Sequence, residues 1–222
     1  MLTTIIAPGK CEESFAIVVT KDSLHLMTQI GWRKPKLTCK KNEGEHMTKT
    51  TAEWWAEVRD DSEKLAHWLR RQYVGELAAV NLLSEMILKF GADMTEQQWE
   101  DTHKVMLQEA THAKWMKQLL DARGILPEKD ADPTRRYWQE VLPAVDDFQK
   151  ASAAAHDAER MRLHRIRAIA LDQKAPADIR NTFKRILPHE EWHEIVFESM
   201  RGDARLDEAH ERGLAALSLV LA

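Results

Sequence analysis

From Thr50 onward the apolar positions recur at three and four residues, the spacing of one face of an α-helix, and cap or breaker residues divide the pattern into segments. Trp54, Trp55 and Val58 form a short stripe behind Thr50-Thr-Ala-Glu53, which has capping-box spacing, and predict a helix over 51–60. Asp60-Asp-Ser62 interrupts it and caps a long helix over 62–90, whose stripe begins with Leu65, Trp68, Leu69 and Tyr73 and which Gly91 ends. A second capping box, Thr95-Glu-Gln-Gln98, opens a helix carrying Trp99, Val105, Met106, Met116, Leu119 and Leu120 as far as Gly124. So short a link between the two long segments makes them an antiparallel hairpin. Residues 124–143 hold Pro127, Pro133 and Pro143 and form the one long connection, with a short helix over 135–141. A helix over 144–173 follows, and Pro176 starts another that reaches Met200 before Gly202, giving a second hairpin. Leu206, Leu214, Leu217, Leu219, Val220 and Leu221 predict a fifth helix over 203–222, packed on the bundle or on a second subunit.

The first 46 residues read differently. Thr3-Thr-Ile-Ile6 and Phe15-Ala-Ile-Val-Val-Thr20 are β-formers broken by Pro8, Gly9, Gly31 and Pro35, which suits a hairpin or extended arm. Met47 would be a natural start for the helical part. The expected organisation is an arm over 1–46, an all-α bundle over 47–202 and a C-terminal helix over 203–222. Only 8 Gly and 7 Pro, beside 8 Trp and 9 Met, agree with a helical core filled by large side chains.

Charge narrows the partners. With 32 basic and 36 acidic residues, a net charge of -4 gives no excess to draw nucleic acid or an anionic membrane, so small molecules are the expected partners. No apolar run approaches the roughly 20 residues of a membrane span, and Met1 to Lys10 lacks a signal-peptide pattern, so a cytoplasmic location is expected. Cys11 and Cys39 have no ligand-like spacing and read as a reduced, structurally minor pair.

The chemistry lies in four carboxylates on apolar stripes. Glu76 sits among Leu69, Tyr73, Val80 and Leu83, and Glu109 among Val105, Met106 and Met116. Glu159 sits among Ala155, Leu163 and Ile166, and Glu190 among Phe183, Ile186, Leu187 and Phe197. Each costs several kcal/mol to bury unless it is paired, hydrogen-bonded or metal-bound. A histidine follows three residues after Glu109 and Glu190, at His112 and His193, one helical turn on. Every one of the four carboxylates lies about fourteen residues from the turn of its hairpin, roughly 21 Å along the helix, so antiparallel packing brings them to one depth. Two isolated glutamates and two Glu-x-x-His pairs converging in a bundle are the ligand set for a pair of iron or manganese ions, and oxygen-rich donors with one imidazole per metal favour these over zinc. His189-Glu190-x-x-His193 also spells a zinc-peptidase string, but that reading leaves Glu76, Glu109, His112 and Glu159 unused, and Gln108 stands where a second such string would need His. His189 therefore reads as a neighbouring or surface residue.

Other residues are secondary. Tyr73, one turn before Glu76, suits a core tyrosine bonded to a ligand, and His156, three residues before Glu159, suits a further ligand or proton donor. Pro188 should bend its helix beside Glu190. Ala151-Ser-Ala-Ala-Ala155 suits close helix approach or room for a substrate chain. Arg160, Arg162, Arg165 and Arg167 read mainly as a solvated face, from which one could neutralise an acidic substrate or a carboxylate behind the ligands.

Residues 62–201 with this ligand set resemble the ferritin-like di-iron carboxylate superfamily, which includes rubrerythrins, bacterioferritins and aldehyde-deformylating or hydroxylating oxygenases. The resemblance implies a four-helix bundle with a long crossover between its second and third helices. It also implies Glu109 and Glu190 bridging two metals, Glu76 and His112 completing one, and Glu159 and His193 the other. The implied function is activation of O2 or peroxide by an oxidase or oxygenase acting on a small organic substrate, with iron storage or detoxification as the alternative. A rubrerythrin-like Glu-x-x-Glu and a rubredoxin-like cysteine quartet are both missing, so any electron donor is external. A homodimer is compatible with the fifth helix.

Overall fold

The computed structural model describes residues 50–128 and 134–221, with side chains to residue 217. The predicted hairpin or arm, both cysteines and Met47 lie outside these residues. Among the described residues the chain is all-helical: α1 (Thr51–Arg59), α2 (Ser62–Phe90), α3 (Glu96–Asp121), α4 (Arg135–Val141), α5 (Phe148–Leu171), α6 (Ala177–Arg201) and α7 (Asp207–Leu221). Two 3-10 turns, Gly91–Asp93 and Leu142–Ala144, complete the order. No helix among the described residues is long and apolar enough to cross a membrane.

Local chemistry sets the helix ends. Thr50 with Glu53 and Thr95 with Gln98 both close reciprocal capping boxes, and the Asp61 carboxylate accepts from the Glu63 and Lys64 amides to start α2. α3 stops where Ile125 N–H reaches the Leu120 carbonyl and Gly124 N–H the Asp121 carbonyl, with Gly124 at φ +62°, a Schellman closure that favours glycine. α5 begins at Phe148 and not at 144, because Leu142–Ala144 winds as a 3-10 turn and the Asp147 carboxylate caps the Lys150 amide at 2.7 Å. It ends at Leu171 and not at 173, because Asp172 is extended and accepts from Trp55 Nε1 at 2.9 Å and Arg59 Nη1 at 2.6 Å, which ties α1 to the α5–α6 turn. α7 starts at Asp207, after the turn at Gly202, and α6 runs on through Pro188.

Two hairpins, α2 with α3 and α5 with α6, make the bundle, and α3 packs on α6 while α2 and α5 meet only sparsely. The core divides into two apolar clusters. One joins the start of α2 (Trp68, Leu69), the end of α3 (Leu119, Leu120), the end of α5 (Ile169) and the start of α6 (Ile179, Phe183). The other joins the end of α2 (Met86, Phe90), the start of α3 (Val105), the start of α5 (Phe148) and the end of α6 (Phe197, Met200). α2 therefore runs parallel to α6 and antiparallel to α3 and α5. Each fully buried large apolar side chain stabilises by about 1.5–3 kcal/mol, so the two clusters offset the cost of polar groups held between them. A third cluster packs α4 and α7 on the outer side of α5 through Tyr137, Val141, Ala153, Ala154, Leu206 and Leu217. α7 comes so close that a Cβ on Gly213 would lie 2.5 Å from a Tyr137 ring carbon.

Candidate metal centre

Glu76 on α2, Glu109 and His112 on α3, Glu159 on α5, and Glu190 and His193 on α6 meet between the two apolar clusters, and none is more than 6% exposed. They form two overlapping groups. Glu76, Glu109, His112 and Glu190 offer one donor atom each within 4.8 Å of one another, and Glu109, Glu159, Glu190 and His193 do the same. Glu109 and Glu190 belong to both groups.

Six polar atoms of the cluster are left without hydrogen bonds. Both oxygens of Glu109, one oxygen each of Glu159 and Glu190, and Nδ1 of His112 and of His193 are buried and have no hydrogen-bond partner. His112 Nδ1 approaches Glu190 Oε1 at 3.3 Å, and His193 Nδ1 approaches Glu109 Oε1 at 3.1 Å, without hydrogen-bond alignment. A cluster of orphaned buried acceptors costs roughly 1–3 kcal/mol per group, more when charged, unless a cation or protons fill it. The donor set fits a metal ion.

The opposite edge of each imidazole is fixed. His193 Nε2 lies 2.9 Å from Gln108 Oε1, an acceptor, so the ring carries its proton on Nε2 and leaves Nδ1 bare toward the carboxylates. His112 Nε2 lies 3.0 Å from His189 Nδ1, and donation from His112 would leave its Nδ1 free for a cation once the ring gives up the extra proton it holds without one. Gln108 and His189 each immediately precede the glutamate of a Glu-x-x-His pair, and each supports the histidine of the other helix. His189 thus joins neither ligand group. It is a partner of His112, sheltered by Trp115, over which Arg185 stacks at 3.9 Å.

Arg162 departs from the sequence expectation of a solvated face. It sits one turn after Glu159 and sends its guanidinium into the cluster, with Nη2 2.6 Å from Glu76 Oε2 and 3.4 Å from Glu190 Oε1, and Nη1 3.5 Å from Glu109 Oε2. Its signal in the sequence was the three-residue offset from Glu159, which places both on one helix face. Of the remaining expected residues, His156 lies outside both groups and its Nε2 pairs with Glu198 at 2.9 Å. Tyr73 is half-buried against the Trp68 end of the core and makes no hydrogen bond to Glu76.

Burial sets the protonation of the cluster. It pushes Glu76 up to about 8, against the pull of Arg162 and with help from the Glu109 charge. Burial also raises Glu159 well above the carboxylate range, with Glu190 and Glu109 adding repulsion. For Glu190 burial is outweighed by Arg162 and His112, which hold it well below its ordinary value. Burial opposes charge on His112, but Glu190, Glu109 and Glu76 overcome it and raise the ring to about 9. Burial wins at His193 and lowers it to about 4. Without a metal the centre therefore holds protons.

The chain matches no known family model, no curated protein and no solved structure. The described residues make a helical bundle with a buried Glu/His cluster able to hold a metal ion.

Proposed function

We propose that the chain is a ferritin-like dinuclear carboxylate protein that binds two iron ions, with manganese or a mixed pair as substitutes, and acts as an O2- or peroxide-dependent oxidase or oxygenase on a small organic substrate. The observation that carries this reading is the sharing of Glu109 and Glu190 between two four-donor groups, which is what two adjacent cations with bridging carboxylates require. Glu76 with His112, and Glu159 with His193, complete the two ends. A reduced metal pair held by these residues would supply electrons to O2 or peroxide.

The chain's own residues do the rest. The apolar clusters on either side keep water from the centre, which strengthens its electrostatics. Gln108 and His189 hold the imidazoles with Nδ1 forward. Arg162 holds Glu76 from the α5 side and supplies one positive charge against as many as four negative ones. Glu159 and Arg162 also line a cavity, so a bound molecule would lie directly beside the ligands. The electron donor is expected to be external.

Anaerobic titration with Fe2+ followed by exposure to O2 tests the proposal. Two equivalents per chain should bind to the wild type, O2 should be consumed on exposure, and Glu109→Ala should lose both equivalents. One equivalent, or none, would overturn the dinuclear reading. Hundreds of irons per assembled particle would move the assignment to storage, and zinc bound through His189 would move it to a peptidase.

A further inference from the structure

The sparse contact between α2 and α5 leaves a cavity of about 130 Å³ that reaches the metal cluster through Glu159 and Arg162. α4 and α7 cover it through Tyr137, Trp138 and Leu217. An engineered apolar cavity of roughly 150 Å³ accommodates benzene, so a single ring or a chain of about six carbons is the right scale. Because α2 and α5 are antiparallel, the lining is graded. Trp68, Arg71, Gln72 and Arg165 surround one end over an apolar wall of Ile166, Ile169 and Phe183, Glu159 and Arg162 lie at the middle, and Ala79, Leu82, Leu83 and Ala155 surround the other.

The arginines at the Trp68 end ask for an anion. Arg165 is half-buried and stacks over Trp54 at 5.5 Å, and among the described residues no carboxylate pairs with it. Burial, with Arg71 and Arg162 adding like charge, depresses its basicity. Trp68, which lines the same cavity, is buried at 7% exposure and its indole N–H has no acceptor. Two divalent cations would balance four carboxylates, which leaves the Arg162 charge in surplus on the same wall. A planar guanidinium with a free N–H donor nearby is suited to a carboxylate.

We propose that this cavity is the substrate site and takes a small organic carboxylate with an apolar body, its carboxylate held by Arg165 and Trp68 and its body lying along Ala79, Leu83 and Ala155 past Glu159. The proposal deepens the dinuclear reading and rests on it for the cavity's use as a reaction site, but its binding determinants lie outside the ligand set.

Calorimetric titration of the full chain, both metal-free and loaded with Mn2+, checks it with three acids, benzoate, phenylacetate and hexanoate, and their uncharged amides. At least one acid should bind the loaded protein ten times or more tighter than its amide. Arg165→Gln should remove at least tenfold of that affinity with manganese stoichiometry unchanged, and Arg160→Gln, exposed on the same helix, should leave it intact. The acid-to-amide comparison needs no variant, so a misfolded Arg165→Gln does not rescue the idea. Three acids that fail to bind, amides that bind equally, or affinity indifferent to Arg165 and lost with the metal would each overturn it. Failure of manganese to load, with acid binding through Arg165 retained, would sink the dinuclear reading and leave this site standing.

Discussion

Raising the pH of the metal-free protein from about 6.5 to about 8 should destabilise it, and the sign and size follow from the buried cluster. Glu76, raised from 4.5 to about 8, stabilises the fold by holding a proton that the unfolded chain gives up above 4.5, and this is lost as the pH climbs toward 8. His112, raised from 6.5 to about 9, stabilises the fold fully below 6.5 and loses that contribution on the way to 9. Glu159, also raised, acts in the same direction. The two groups shifted downward oppose this mainly at lower pH. His193, lowered to about 4, and Glu190, held below its ordinary value, stabilise at higher pH and lose that as the pH falls; Glu190 is flat above about 6.5, and the last part of the His193 gain, about 0.4 kcal/mol, falls inside the window without changing the sign. Within this window Glu76 and His112 each lose roughly 1.5 kcal/mol, about 3 kcal/mol together. Metal occupancy replaces the protons and should flatten the dependence. Urea denaturation of exhaustively chelated and of Mn2+-saturated protein, followed by far-ultraviolet circular dichroism at several pH values, measures both curves. A chelated protein whose stability held constant or rose across this window would refute the electrostatic account of the centre.

Arg162→Gln removes the guanidinium that competes with a cation for Glu76, Glu109 and Glu190, so metal-free stability should fall by about 2–3 kcal/mol while metal affinity rises; denaturation and competitive chelator titration would show both, and weaker metal binding would contradict it. Gln108→Leu frees the His193 ring from its 2.9 Å partner and should weaken metal binding about 10–100-fold with the helices intact by circular dichroism. Gly213→Ala gains about 1 kcal/mol of helix propensity, but its Cβ would meet Tyr137, which is fully buried and pinned to His210 at 2.9 Å. Overpacking of about 1–3 kcal/mol should win, visible as a lower denaturation midpoint, and a stabilised variant would show that α7 shifts freely.

Much of the bundle was legible because its signals are local. Capping boxes at Thr50 and Thr95, the Asp61 cap and the closing Gly124 act within one turn of sequence, and the apolar stripes carry the 3.6 period through four long helices. The ends of α5 were harder, because Asp147 caps by its own side chain after a 3-10 turn, and because Asp172 answers to Trp55 and Arg59 more than 110 residues away in the chain. The meeting of the six residues in one buried cluster was legible because a carboxylate on an apolar stripe conflicts with its surroundings, and because equal depth from a turn survives small errors in helix ends.

What the sequence could not carry was the second partner of each group. Gln108 and His189 hold the histidines of the opposite helix, a relation set by how α3 faces α6 and by no spacing within either. Arg162 looked like part of a solvated row because neighbouring arginines at 160 and 167 are solvent-facing; only the wide separation of α2 and α5 gives its long side chain a path to Glu76. The same separation opens the cavity beside Glu159. Periodicity and burial cost fix which residues turn inward on each helix, since both act along one chain segment. The distances between helices, which decide whether an inward charge meets a carboxylate, an imidazole or empty space, are set by packing across the whole bundle and exist only in the tertiary structure.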